Sequence, residues 1–345
     1  MNIWQTETVN IAGRAAILLL AAIAQASCNS IDDDLSDCGR DVPVVYTVRQ
    51  LANLDAVLAN ELSDANEQPV AQQLRKLLTL FFTQQVHLLN RAFYADATPY
   101  LSEQSIMDAQ QATFITYLRD NSYRHLAVGT IASDPVISII GSDTPTTYLL
   151  QQGYAADTID SHSDALFTAR SNLDIDNSTA EKTFGVDLYQ QNSAVALVLD
   201  PVGVQFPAIR ACLTGLASSF AINDSTYSYA TSRPVRMQPV DVVGSPFITL
   251  CGRAFPSVDT APAATRTNAT ATEAEAIWQL HAYVTRPDGT VTENRLFIPT
   301  PLKADQLRII KGVILPDGTI VPSLQEVGVS VTLDWHQGGI YNPSL

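Results

Sequence analysis

Short-period alternation of apolar and polar residues dominates this chain. Asp41–Arg49 (DVPVVYTVR) sets Val44, Tyr46 and Val48 on one face, the period of a half-buried strand. The same pattern returns at Val86–Tyr94, Thr113–Leu118, Tyr123–Ile131, Val136–Ile140, Thr147–Leu150 and Ala165–Arg170. Turn residues separate most of these pieces, as in Asp120-Asn121-Ser122, Ser133-Asp134-Pro135 and Gly141-Ser142-Asp143. One stretch keeps a different period. Within Glu61–Phe82, Leu74, Leu77, Leu78, Phe81 and Phe82 recur at three- and four-residue spacing beyond Pro69. That spacing predicts one amphipathic helix lying on or capping a sheet.

Ser171–Thr183 (SNLDIDNSTAEKT) is polar and is read as a domain boundary, with an N-terminal domain over residues 28–180 and a C-terminal domain over 181–345. Beyond it come FGVDLY and SAVALVLD; in the latter Val195, Leu197 and Leu199 face one way and Ala194, Ala196 and Val198 the other. Further strands are predicted near Ala211–Ala217, Ser225–Ala230, Pro239–Val243 and Phe247–Cys251. Ala261–Ala274 is a low-complexity Ala/Thr loop. Two hairpins turn on Pro287-Asp288-Gly289 and Pro316-Asp317-Gly318. Many short strands with frequent turns and one helix predict a mainly β protein of two β-sandwich domains, the helix belonging to the first.

The N-terminus reads differently. The apolar run Ala15–Ala24 follows Arg14 and has the length of a signal-peptide core, about half a bilayer span. Ala26 and Ser27 precede Cys28, and Asp32, Asp33, Asp34 and Asp37 follow it. This resembles a bacterial lipobox, with residues 1–27 removed and Cys28 carrying the lipid. The acidic run resembles the export tag of surface lipoproteins in Bacteroidetes-type bacteria. Buried acyl methylenes hold such a chain to the membrane at roughly 0.8 kcal/mol each.

Removing that segment leaves roughly 320 residues, enough for two cores. The net charge of -15 survives, because Glu7 and Arg14 cancel within it. The four lysines (Lys76, Lys182, Lys303, Lys311) form no basic stripe, which argues against nucleic acid and against electrostatic binding to anionic lipid. With Cys28 acylated, Cys38, Cys212 and Cys251 remain. Cys212–Cys251 is the better candidate for a pair, and two buried free thiols are an equal alternative. No Cys/His spacing suits a metal. Nucleophile-elbow, phosphate-loop, zincin and dinucleotide motifs are all missing. Ser161-His162-Ser163-Asp164 reads as a polar loop, since triad members converge from distant segments. Asp174, Asp176 and Asn177 read as solvated linker rather than a calcium loop. No enzyme and no cofactor are expected. Exposed aromatics at Tyr148, Tyr154, Tyr227 or Tyr229 could serve a glycan-binding surface lipoprotein.

Several segments together resemble the fimbrillin superfamily of Bacteroidetes, most closely its FimB/Mfa-type minor subunits that anchor a pilus. They are Cys28 with its acidic run leading into VPVVYTV, DSHSDALFTAR (160–170), TFGVDLYQQNSAVALVLDP (183–201), IIKGVILPDGTIVP (309–322) and EVGVSVTLDWHQGGIYNP (326–343). The resemblance covers nearly the whole mature chain. It implies two transthyretin-like sandwiches and a lipid-anchored fimbrial subunit of the outer membrane, with other fimbrial subunits as partners. Such subunits assemble by strand complementation, after an arginine-specific cut that an anchor subunit would forgo. The first strand, with Val44, Tyr46 and Val48 inward, is then the candidate retained strand, and Arg40 and Arg49 the candidate cleavage points. Gly328–Leu345, with Val329, Val331 and Leu333 alternating, is the candidate strand-exchange segment; an internal edge strand is the equal alternative. A cleaved shaft or tip subunit is the other reading the resemblance allows.

Overall fold

The computed structural model describes residues 40–51, 77, 85–132, 136–153, 157–162, 164–176, 180–241, 244–260, 276–322 and 335–341. Contacts divide the chain into two units, Met1–Asp41 and Val42–Leu345, and every strand belongs to the second. In chain order the strands begin with β1 (Val42–Gln50), β2 (Leu88–Ala95), β3 (Thr98–Ile106), β4 (Gln111–Leu118) and β5 (Asn121–Thr130). They continue with β6 (Ile137–Ile140), β7 (Leu149–Gln152), β8 (Ile159–Asp160), β9 (Leu166–Ile175), β10 (Lys182–Gln190) and β11 (Ser193–Asp200). The second half adds β12 (Ala208–Thr214), β13 (Ser219–Ala221), β14 (Thr226–Ser228), β15 (Val235–Arg236), β16 (Gln238–Pro239) and β17 (Ile248–Ala254). The last are β18 (Trp278–Thr285), β19 (Val291–Ile298), β20 (Leu307–Ile314), β21 (Ile320–Pro322) and β22 (Trp335–Tyr341). The protein is mainly β. The helix expected over Glu61–Phe82 lies outside the described residues except for Leu77. That side chain is fully buried against Ala194, Ala196, Val198 and Cys251, on strands of the second half rather than the first.

Seven strands form one sheet in the order β3-β2-β5-β9-β10-β1-β4. Alternation decides what it buries: Val42, Val44, Tyr46 and Val48 of β1 join Leu89, Phe93, Ala127, Leu173, Val186 and Leu188 in one core. The β2–β3 hairpin turns on Asp96 and Ala97, both in the left-handed region at φ 48° and 64°. A two-residue hairpin needs that conformation, which Asn-Gly supplies at less cost, and its absence hid β3 from the sequence pattern. The polar stretch read as a linker carries the end of β9 and the start of β10. The chain passes from the seven-stranded sheet to the next one at Gln191-Asn192.

Past that junction two sheets face each other, β16-β17-β11-β20-β21 and β22-β19-β18-β12-β15-β8. Val195, Leu197 and Leu199 from one, with Leu213, Trp278, Leu280 and Leu296 from the other, fill the space between. The other face of β11 is buried too, so this strand reads as a continuous apolar run. A fourth sheet, β14-β13-β7-β6, joins residues 137–152 to residues 219–228. β8 likewise pairs with β15. The excursion between β5 and β9 thus belongs with strands from the second half. Ala92, Tyr94, Leu126, Val128 and Leu166, on the outer face of the first sheet, pack with Tyr148, Leu150, Phe220, Ile222 and Phe255.

Candidate functional site

β1 occupies an interior position of its sheet. It runs parallel to β10, with Val44 opposite Lys182 through Gln50 opposite Leu188, and antiparallel to β4, with Val42 opposite Leu118 through Arg49 opposite Gln111. Both backbone edges are therefore satisfied by this chain. The inward row is Val42, Val44, Tyr46, Val48 and Gln50. The four apolar members are fully enclosed, and Gln50 ends the row by accepting the Val86 N–H at 2.9 Å through Oε1.

Tyr46 meets a polar socket inside that apolar row. Its hydroxyl lies 2.8 Å from Nε2 of His125, on β5. Phe93, His125 and Phe184 surround its ring at centroid distances of 6.1, 5.1 and 5.5 Å. Burial pushes the Tyr46 phenol well above its ordinary value, with Arg91 working weakly the other way, so it stays protonated. Burial likewise pushes His125 down to about 3, with Arg91 and Arg124 adding repulsion, so the imidazole is neutral. The pair is a neutral hydrogen bond in an apolar enclosure.

Arg91, on β2, closes the socket. Its guanidinium carbon stands 5.2 Å from the Tyr46 ring centroid and 4.5 Å from that of Phe114, on β4. Nη2 donates to Glu103 Oε2 at 2.7 Å and to Ser105 Oγ at 2.9 Å, both on β3. One side chain thus touches β1, β3 and β4, and so spans the two terminal strands of the sheet. Only 3% of the residue is exposed, and among the described residues its Nε and Nη1 have no hydrogen-bond partner. The two ring faces supply the remaining stabilisation of the cation. The sequence pattern singled out neither His125 nor Arg91. The only signal was a polar residue at an inward position of an alternating strand.

The outward face of β1 carries Arg49, whose guanidinium makes a two-pronged contact with Asp187 at 2.8 and 3.1 Å. Arg49 lies within the sheet, paired on both sides, whereas Arg40 is exposed ahead of β1. The neighbouring strand β4 bounds the sheet and exposes Ile115 and Tyr117.

Other positions marked by sequence are spent on structure or lie elsewhere. Cys28, Cys38, Tyr154, Val329, Val331 and Leu333 lie outside the described residues. The C-terminal segment enters as β22, which pairs antiparallel with β19 at the edge of the six-stranded sheet. Cys212 and Cys251 are free thiols on strands of facing sheets, so of the two equal readings the free thiols hold and the pair does not form. Burial raises both, Cys251 to about 12. His162 is buried edge-on to Phe255 with its Nε2 3.1 Å from Gln152 Nε2, and the Ser161 hydroxyl accepts the Arg253 N–H at 2.7 Å, the contacts of a packed loop. Asp174 accepts from the Ser122 hydroxyl at 2.7 Å. Tyr148 is buried, while Tyr227 and Tyr229 donate their hydroxyls to Gln191 O and Ser257 O. Among the described residues no cluster of His, Cys, Asp and Glu could hold a metal.

No protein-family model and no curated protein matches the sequence. Solved structures with a similar arrangement include the fimbrial anchor protein Mfa2 from Porphyromonas gingivalis, at 15% identity and TM-score 0.45, covering 81% of this chain and 95% of that one. The tip fimbrial protein Mfa3 from the same organism is similar at 10% identity and TM-score 0.42, covering 88% and 100%. A structure described as a candidate adhesin from Bacteroides ovatus is similar at 15% identity and TM-score 0.49, covering 86% and 98%.

Proposed function

We propose that this chain is a lipid-anchored fimbrial subunit that attaches a pilus shaft to the outer membrane and works by assembly rather than catalysis. Cys28 carries the lipid, the acidic run after it is the tether, and β1 follows directly. One observation carries the reading: β1 is held on both edges by strands of its own chain, with its inward row buried. A subunit whose groove is filled by its own first strand is closed to polymerisation at that end, as an anchor should be. The sequence resemblance over nearly the whole mature chain supports the same role. On this reading the body is two transthyretin-like sandwiches, and the partners are other fimbrial subunits, engaged through Gly328–Leu345 by strand addition.

The test is mass spectrometry of the N-terminal peptide from cell-surface material of the native host. The expected result is a chain that begins at acylated Cys28 with residues 42–50 attached. A chain beginning after Arg40 or Arg49 would make it a cleaved shaft or tip subunit instead. Cys28→Ala should release the protein into the medium, and unchanged membrane fractionation of that variant would sink the anchor role.

A further inference from the structure

β1 is a degenerate strand. Three of its five inward residues are valine, and a slip of two positions leaves every side chain on its own face. Alternation therefore does not choose between registers. Only Tyr46 and Gln50 differ from their neighbours in the row. After a slip, Nε2 of the enclosed His125 would lose its hydroxyl partner, Arg91 would lie over a valine instead of a ring, and the Val86 N–H would lose its acceptor. Buried polar groups left without partners carry their full desolvation cost.

We infer that His125 and Arg91 form a phenol socket that sets the register of the strand in this groove, with the Val86 amide reading a carboxamide four residues further on. Tyr46 and Gln50 are the two matching features of β1. The inference goes beyond the anchor reading and stands without it. Were β1 cut away, as in the cleaved-subunit alternative to the anchor reading, a replacing strand would have to carry tyrosine, then glutamine four residues later, with a β-branched residue between on the same face. The chain's own C-terminal segment does not qualify. Val329, Val331 and Leu333 include no phenol, and Tyr341 in the same row is flanked by Gly339 and Pro343. The socket therefore selects against a second copy of this chain as donor to this groove.

Register can be read by disulfide trapping in the full-length protein. Thr47 and Thr113 face each other across β1 and β4, with hydroxyls 3.2 Å apart on the exposed face. T47C/T113C reports the native register, and R49C/T113C reports a slip of two. Each pair is introduced into the native sequence and into a background that moves both features, Y46V/V48Y/Q50V/A52Q. This direction carries Pro43 out of the ladder, where its missing N–H is harmless. Peptide mapping of the oxidised proteins identifies the linked residues. The native background should trap 47–113 and not 49–113. The transposed background should reverse that preference by at least tenfold. Native trapping retained in the transposed background would overturn the socket's role. Loss of amide protection throughout β2, β5 and β9 in that background would also overturn it, making Tyr46 a packing residue only. Neither outcome depends on whether a partner strand ever enters the groove.

Discussion

Acid should loosen the first sheet through one side chain. His125 is wholly enclosed, and loss of hydration is the first cause of its pKa falling to about 3, with Arg91 and then Arg124 adding to it. A histidine in the unfolded chain titrates near 6.5. Between those values the unfolded chain binds a proton that the folded chain refuses, so stability declines as pH falls through the window. One such proton is worth about 1.4 kcal/mol per pH unit once the unfolded imidazole is mostly protonated, or about 2–3 kcal/mol between pH 6.5 and 4.5. Carboxylates titrate over the same range, so the informative quantity is the difference from His125→Gln. A glutamine carboxamide can reach the position of Nε2 and takes up no proton. Urea unfolding followed by far-UV circular dichroism at pH 6.5, 5.5 and 4.5 gives the gap, and amide exchange in β2 and β5 localises it. The variant should gain on the native protein by about 2–3 kcal/mol across that range. A gap constant within about 0.5 kcal/mol would refute a buried neutral imidazole at this position.

Gly312 has no room for a side chain, because an added methyl would lie 2.6 Å from Ile320 Cγ2 and 3.2 Å from Leu199 Cδ2. Gly312→Ala should cost about 1–3 kcal/mol in urea titrations. Asn294 is fully buried and ties β19 to the β20–β21 hairpin, donating to Gly318 O at 3.0 Å and accepting the Ile320 N–H at 2.8 Å. Asn294→Leu leaves both backbone groups unpaired and should cost about 2–4 kcal/mol by the same titration. Arg49→Ala should change stability by less than about 0.5 kcal/mol despite its two-pronged contact, because the Arg49 side chain is 58% exposed. Cys251 should resist a thiol reagent in the native protein and react on unfolding, and non-reducing peptide maps should find no Cys212–Cys251 link.

The strands legible in the sequence were those whose alternation is strict and whose turns are conventional. β1, β11 and the two hairpins at Asp288-Gly289 and Asp317-Gly318 are of this kind. β3 failed on both counts: its residues TPYLSEQSI face water on most positions, and its turn uses Asp96 and Ala97. The polar stretch at 171–183 hid the end of β9 and the start of β10, because Leu173 and Ile175 are its only large apolar residues in β9, yet both are buried. Long-range pairing was not legible at all. Nothing local says that residues 137–152 pair with 219–228, or that Tyr46 meets His125 across 79 positions. Such partners meet only once the sheets have assembled.

The topology also decides how tension applied at β1 is resisted. β1 and β10 are parallel, and β10 continues at its C-terminal end into β11, the central strand of the five-stranded sheet. A pull on the N-terminal end of β1 against the second half therefore drives β1 and β10 past each other along their length. The bonds between them are then loaded together, whereas a pull across the strands would open them one at a time. The socket opposes that sliding motion, since every two-residue step costs the Tyr46–His125 hydrogen bond and the stacked Arg91. The core shared by β2, β5 and β9 with Tyr148, Phe220 and Phe255 carries the same load by a second route, independent of β10. A buried arginine with two nitrogens unpaired among the described residues is costly for stability alone. It makes physical sense where holding one strand in one register matters more than the last few kcal/mol.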